Sequence, residues 1–169
     1  MSKSLSPSYR LGWCLPGRYI EEYKAQFSAA SYGVALPTQL AVADFIESGQ
    51  YAKHVRRRRT QLLLLRQQYL SYLTQHLAQG VNISNPQGGM VLWLQIPSLD
   101  QHTFSEGIVQ QQIDIRLGQL FSTLDLYSNC LRLNMGYSIE GQTKQQLDDL
   151  IQLIHQCSNA KSVWLLTEK

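Results

Sequence analysis

A chain of 169 residues that is 44% hydrophobic and has a net charge of +3 is long and apolar enough for one domain of ordinary size. This composition excludes disorder as the default state, and the weak basic bias argues against a protein that acts mainly by binding nucleic acid. The longest aliphatic run, residues 62–65, is far short of the roughly 20 residues that a membrane span needs.

The first half of the sequence predicts one strand followed by helices. Residues 11–15 are apolar and lie between Pro7 and Pro16, which indicates a short buried strand with Trp13 in the core. Apolar residues at helical spacing predict helices over 18–31 and from about 37 to 48. Residues 51–79 contain neither Gly nor Pro and predict a single long helix.

The second half predicts a compact mixture of strands and helices. Alternating or continuous apolar patterns indicate strands over 81–83, 90–96, 113–117 and 130–136, with helices over 103–112 and 142–157. Trp93, in the second of these strands, is interpreted as a core residue. Helices followed by such a mixture are typical of the α+β and α/β classes.

Cysteine and histidine spacing gives no sign of a disulfide framework or a metal centre. The three cysteines are far apart and form no Cys-x-x-Cys pair, so we interpret them as reduced thiols of a cytoplasmic protein. The polar, proline-containing start of the chain does not have the pattern of a signal peptide. The four histidines share no metal-ligand spacing, and no metal is expected.

The stretch "SKSLSPSYRLGW" is the most specific motif in the chain. Ser2, Lys3, Pro7, Arg10 and Gly12 fall in register on the lysine motif that binds pyridoxal phosphate in fold-type I aminotransferases, which the stretch resembles. "NPQGGMVLWLQIP", "GQLFS" and "CLRLNMG" are similar, in the same order, to later segments of that family. "RLGWCLPGRYIE" most closely resembles the aminotransferase-like effector domain of MocR-type transcription regulators of the GntR family.

The resemblance implies a role for four residues. Lys3 would form the Schiff base with the cofactor aldehyde and move the proton during transamination, while Ser2 and Arg10 would bind the cofactor phosphate. Arg132 would hold the α-carboxylate of an amino acid, which suits a two-pronged guanidinium. The residue pattern alone places Arg132 on the polar face of a strand and leaves a salt bridge at the rim as the alternative. By itself, Lys3 would be a solvated surface charge.

The same resemblance predicts how the chain is divided. It implies an α+β fold in which a long inter-domain helix precedes the small C-terminal domain of a fold-type I aminotransferase, with a mainly antiparallel sheet packed with helices. Residues 1–35 would be a remnant of the large cofactor-binding domain, 36–80 the linking helices and 81–169 the small domain. The family's ring-stacking aromatic residue and the aspartate that pairs with the ring nitrogen have no counterpart here, so a C-terminal fragment is expected.

Two functions are expected from these observations. In the first, the chain is the effector part of a MocR-type regulator whose full-length form is a homodimer, binds pyridoxal phosphate and an amino acid or amine, and contacts DNA through a separate N-terminal domain. The fragment alone is then expected neither to retain the cofactor nor to turn over. The alternative is a small α+β interaction domain that keeps the fold without cofactor. We interpret the basic residues 53–59 as a solvated helix face or a contact to the missing domain, rather than as a nucleic-acid or nuclear-targeting patch.

Overall fold

The computed structural model describes residues 1, 3–30, 33–124 and 126–164, with the last six of these given by their backbone alone. Within this part the chain divides into two compact units, Met1–Arg58 and Arg59–Lys169. The predicted division at residues 35 and 80 stays a prediction.

The regular elements among the described residues of the first unit are helices and short turns. Two 3₁₀ turns, Pro7–Tyr9 and Gly17–Tyr19, lead into helix α1 (Ile20–Ala30). Helix α2 (Leu36–Glu47) has Pro37 in its first turn, where the missing N–H costs nothing. Gly49, at φ +74°, provides the left-handed residue between α2 and the next helix, α3 (Gln50–His76), which continues into the second unit.

The second unit packs helices on one face of a four-stranded antiparallel sheet. The strands are β1 (Asn82–Ile83), β2 (Val91–Gln95), β3 (Arg116–Leu117) and β4 (Cys130–Asn134), in the order β1-β2-β4-β3. Helix α4 (Gln101–Gln110) lies between β2 and β3 in the chain, and α5 (Gly141–Trp164) follows β4. Every pairing in this sheet is antiparallel, as predicted.

The core of the second unit lies between the sheet and its helices. Alternate residues of the central strands point inward, because side chains alternate between the two faces of a strand. Tyr69 and Leu73 of α3, Phe104 of α4, and Leu150 and Ile154 of α5 are almost completely buried against them. The inward-facing residues of β2 and β4 are Leu92, Leu94, Leu131 and Leu133. The opposite face of these strands therefore remains available for polar side chains.

The prediction of a buried strand over residues 11–15 is wrong. These residues have no regular structure, and Trp13 and Leu15 are 67% and 90% exposed. A strand requires a partner for its backbone N–H and C=O groups, and the described residues of the first unit contain no other strand. The predicted core role of Trp13 is wrong for the same reason.

The other predicted elements are present with shifted ends. The long helix predicted over 51–79 is confirmed as α3, and the helix predicted over 142–157 is confirmed and continues to Trp164. The strand predicted over 113–117 is limited to Arg116–Leu117. Ser31, the predicted end of the first helix, lies outside the described residues. Within them, every helix is too short or too polar to form a membrane span.

A hydrogen-bonded group of three side chains joins α3 to the start of α5. The Tyr72 hydroxyl donates to one carboxylate oxygen of Asp148, and Lys144 Nζ lies 2.6 Å from the other. The hydrogen bond from Lys144, followed by the one from Tyr72, holds the pKa of Asp148 below its ordinary value. The hydrogen bond to Asp148 likewise raises the pKa of Lys144. Folding therefore favours the ionised carboxylate of Asp148 and the protonated amine of Lys144.

Asp148→Asn is expected to lower the melting temperature by about 1–4 °C at neutral pH, a small effect because solvent screens these partly exposed partners. Since the pKa of Asp148 is lowered by folding, its contribution is fully present above the unfolded value of about 3.9 and is lost as the pH falls through the folded value. Thermal melting followed by circular dichroism should show the two proteins converging in acid. Asp149→Asn, whose described bond is to Gln145, is the control, and equal losses for both variants would contradict the prediction.

Candidate functional site

Lys3 and Arg10 line the same surface hollow in the first unit. Met1, Ser4, Leu11 and Gly12 form the remainder of its lining. Both basic side chains are exposed, so both are accessible to a ligand from solvent. Ser2, the third residue predicted here, lies outside the described residues.

Two consecutive turns give the chain around this hollow its shape. The N–H groups of Ser4 and Leu5 donate to the Met1 carbonyl, at 3.2 and 2.9 Å, and close the first turn. The second is the 3₁₀ turn Pro7–Tyr9, after which the Arg10 N–H donates to the Pro7 carbonyl at 3.2 Å. Arg10 has φ 49° and ψ 28°, a left-handed conformation that is uncommon for a residue with a side chain. The tight turn and this left-handed residue reverse the chain and place Arg10 on the same hollow as Lys3.

The start of helix α3 holds this segment through Ser4. The Tyr51 hydroxyl donates to Ser4 Oγ at 2.9 Å, and His54 Nε2 lies 2.9 Å from the Ser4 carbonyl oxygen. Because a carbonyl only accepts, the His54 ring donates through Nε2. The Phe45 ring of α2 meets the rings of both Tyr51 and His54 edge to face, each at a centroid distance of 6.4 Å. These side chains therefore form one contact between α2, α3 and the residue that follows Lys3.

This donor set fits pyridoxal phosphate, the cofactor implied by the resemblance. An amine can condense with an aldehyde, and a guanidinium binds a phosphate through two parallel hydrogen bonds. Lys3 supplies the first group and Arg10 the second, on one hollow. Among the residues that the structure describes, none that lines the hollow is acidic or aromatic. The hollow therefore provides no partner for the nitrogen of the cofactor ring and no aromatic surface for that ring to stack on.

Arg132 lies in the second unit, on the sheet face opposite the core. It is half-buried on β4, between the buried neighbours Leu131 and Leu133. Its guanidinium carbon lies 5.0 Å from the centroid of the Phe121 ring, at a distance typical of a cation–π contact. In the part of the chain that the structure describes, no hydrogen bond or ion pair engages this guanidinium. The salt bridge left open as an alternative is therefore not formed among the described residues.

Aromatic side chains surround Arg132 on this face. Trp93 of β2 is its cross-strand partner and meets both Phe121 and Tyr127 edge to face, with centroid distances of 5.4 and 5.5 Å. Trp93 is half-buried beneath these two rings, so its predicted core role applies only in part. The loop that carries Phe121 and Tyr127 fits closely around Gly118, since a Cβ there would lie 2.3 Å from the Tyr127 carbonyl oxygen. A glycine is required at that position, and it lets the loop fold over the sheet.

Arg116 is a second cation on the same sheet face. It pairs with Arg132 across β3 and β4, so their side chains leave the sheet on the same side. Its guanidinium lies 2.7 Å from the Asp114 carboxylate, which reduces the repulsion between the two arginines. The face around Arg132 is therefore positive, half-buried and rich in aromatic rings, which suits a carboxylate attached to an apolar group.

The other polar residues singled out in the sequence do not form a site. Within the described residues, no three His, Cys, Asp or Glu side chains lie close enough together to hold a metal ion. Cys14 is exposed, while burial raises the pKa of the Cys130 and Cys157 thiols and keeps them protonated. These cysteines therefore carry no evident chemistry.

The structure brings together two of the four predicted site residues. Lys3 and Arg10 share one hollow, Ser2 lies outside the described residues, and Arg132 belongs to the other unit. Sequence reasoning missed Tyr51 and His54, although their spacing of three residues places them on one face of a predicted helix. Phe121, which covers Arg132, belongs to the "GQLFS" segment, and its sequence pattern predicts no contact with Arg132.

A family model described as aminotransferase class I and II matches residues 1–154 of this chain. The uncharacterized HTH-type transcriptional regulator YjiR of Escherichia coli (strain K12) is 28% identical over 156 residues, which are 91% of this chain and 33% of YjiR. The regulator YdcR of the same strain, described in the same words, is 32% identical over 155 residues, 89% of this chain and 33% of YdcR. The chain thus spans about a third of the length of these curated relatives.

Solved structures of aminotransferases share the fold of this chain. The crystal structure of kynurenine aminotransferase from Pyrococcus horikoshii, in complex with PMP, its substrates and its products, matches with a TM-score of 0.77 at 25% identity. The match covers 92% of this chain and 39% of that one. The multiple substrate aminotransferase of Thermococcus profundus matches over the same shares with a TM-score of 0.78 at 23% identity, which indicates the fold alone.

Proposed function

Because this chain belongs to the aminotransferase class I and II family, we propose that Lys3 is its point of covalent attachment for pyridoxal phosphate and that Arg10 binds the cofactor's phosphate. The observation that carries this proposal is the hollow that both side chains line. Ser2 joins Arg10 in the proposal on the strength of its place in the motif. Bound pyridoxal phosphate supplies an aldehyde that condenses with amines and a ring that withdraws electrons.

The chain's own residues define what each part of the site does. The Lys3 amine holds the aldehyde end, and the same amine accepts and returns a proton when an amino compound takes its place. Arg10 holds the phosphate end and so fixes the cofactor's orientation. For Arg132, in the second unit, we propose separately that it binds a carboxylate of an amino compound, since no described anion engages its guanidinium and Phe121 lies against its flat face.

Regulation rather than metabolism is the function that we propose for a protein containing this region. Two of its curated relatives are HTH-type transcriptional regulators, and the chain aligns with about a third of each. We propose a cytoplasmic, homodimeric regulator in which an amino acid or amine is sensed at the cofactor and DNA is contacted by a separate helix-turn-helix domain. The chain by itself is proposed to hold the cofactor weakly and not to turn over, since the lining of the hollow has no partner for the cofactor ring.

Cofactor trapping on the 169-residue chain tests the assignment of Lys3. The protein is incubated with excess pyridoxal phosphate, reduced with borohydride to fix any attached cofactor, digested and analysed by mass spectrometry. We expect modification to concentrate on the peptide that contains Lys3, and dialysis before reduction to remove most of it. Modification spread evenly over surface lysines such as Lys24 and Lys53 would refute the assignment.

A further inference from the structure

The Tyr51 and His54 contacts reach the peptide unit next to Lys3. Ser4 accepts one hydrogen bond at its side chain, from Tyr51, and one at its backbone carbonyl, from His54, each at 2.9 Å. Both contacts are partly buried, whereas Lys3 itself is exposed. The backbone beside Lys3 is therefore anchored while its side chain remains free to react.

Phe45 gives these two donors a fixed position. Its ring meets both the Tyr51 ring and the His54 ring at 6.4 Å, with interplanar angles of 71° and 62°. Edge-to-face contacts of this kind favour one orientation of each ring. Tyr51 and His54 are also separated by three residues on α3, so both side chains leave the helix on the same face.

We infer that Tyr51 and His54 are positioning residues for Lys3 and hold its loop against the start of α3 through Ser4. The inference rests on the proposed function, because it concerns the presentation of the Lys3 amine to the cofactor. A short turn opens readily unless further contacts hold it, and the turn at Met1–Leu5 has two backbone hydrogen bonds of its own. Anchoring Ser4 keeps Lys3 on the same hollow as Arg10, so less conformational entropy is lost when both engage one ligand.

Hydrogen exchange of the Ser4 and Leu5 amides, measured by NMR on the cofactor-free chain, tests the anchoring directly. Both N–H groups donate to the Met1 carbonyl, so they are protected only while the turn holds. We expect exchange at these amides to be at least about tenfold faster in the double variant Tyr51→Phe/His54→Ala. His54→Gln keeps an amide donor near the position of Nε2 and is expected to stay close to the wild type.

Matched controls separate anchoring from general loss of stability. Tyr137→Phe and His102→Ala remove the same groups from exposed positions in the second unit and should leave these amides unchanged. Hydrogen exchange of the backbone amides of β2 and β4 should also be the same in the double variant as in the wild type. Unchanged exchange at the Ser4 and Leu5 amides in the double variant, or exchange in His54→Gln as fast as in the double variant, would overturn the inference.

Cofactor uptake distinguishes this inference from the proposed function. In the same variants, the pyridoxal phosphate concentration that half-saturates trapping at Lys3 should rise about tenfold, with His54→Gln again near the wild type. If the wild-type chain traps no cofactor at Lys3, the proposed function fails, and the exchange measurement still decides whether the loop is anchored. If exchange accelerates but the half-saturating concentration does not change, anchoring of the loop does not position Lys3 and the inference is overturned.

Discussion

Phe104→Ala is expected to lower the free energy of unfolding by about 3–5 kcal/mol. The Phe104 side chain is 0% exposed on α4, within the core between the sheet and the helices. Helix α4 also lies very close to α5, since a Cβ at Gly107 would lie 2.5 Å from Leu153 Cδ1. This close packing limits how far the helices can move to fill the space left by the ring, so a cavity adds to the lost burial.

Urea unfolding followed by far-ultraviolet circular dichroism measures this loss. Val109→Ala on the same helix is the control, because Val109 is 77% exposed and should change the stability by less than about 0.5 kcal/mol. Phe104→Leu retains most of the buried volume and should fall between the two. A loss below about 1 kcal/mol for Phe104→Ala would mean that the core is not packed as described.

Local sequence patterns were sufficient to predict most of the second unit. The spacing of Leu62, Leu65, Tyr69, Leu73 and Leu77 predicts a long helix with one apolar face. Leu65, Tyr69 and Leu73 are buried, whereas Leu62 and Leu77 are half-buried. The alternation of Leu131, Arg132 and Leu133 predicts a strand with one buried and one polar face. This prediction is confirmed, because Leu131 and Leu133 are buried and Arg132 is half-buried on β4. Such patterns are reliable here because each element packs one face against a continuous core, so that its apolar residues must lie on that face.

The first unit shows where a local pattern fails. The apolar residues 11–15 indicate a strand, but a strand forms only where other strands supply partners. No side chain of α1, all of which is described, is buried, although Tyr23 and Phe27 stack on each other at 5.9 Å. The apolar residues of α1 therefore do not indicate a core packed against this helix.

Recognition of the family came from the spacing of several motifs rather than from any one residue. The prediction of an aminotransferase-like chain related to transcription regulators is confirmed by the family match and by the relatives.

The supporting contacts of the site were not predictable from spacing. Tyr51 and His54 reach Ser4 across 47 and 50 residues of chain. Phe121 reaches Arg132 only because its loop folds over the sheet at Gly118. Contacts of this kind depend on how distant elements pack, which no local pattern encodes.

Lys3→Ala is expected to abolish trapping of pyridoxal phosphate at the N-terminal peptide, because the amine that condenses with the aldehyde is removed. Any remaining label should equal that of an ordinary exposed lysine. Lys3→Arg keeps the positive charge on the hollow but lacks a nucleophilic amine, so it should also trap no cofactor there. This variant separates covalent attachment from simple attraction of the phosphate.

Two further variants complete the design. Lys24→Ala removes an exposed lysine that pairs with Glu21 on α1, and it should leave trapping at Lys3 unchanged. Arg10→Ala keeps the amine but removes the phosphate partner, so trapping should remain possible while its half-saturating concentration rises about tenfold or more. If Arg10→Ala has no effect while Lys3→Ala abolishes trapping, Lys3 is reactive but the hollow is not a phosphate site. If Lys3→Ala retains full trapping on the N-terminal peptide, the attachment is at the chain's own amino group and the assignment of Lys3 is refuted.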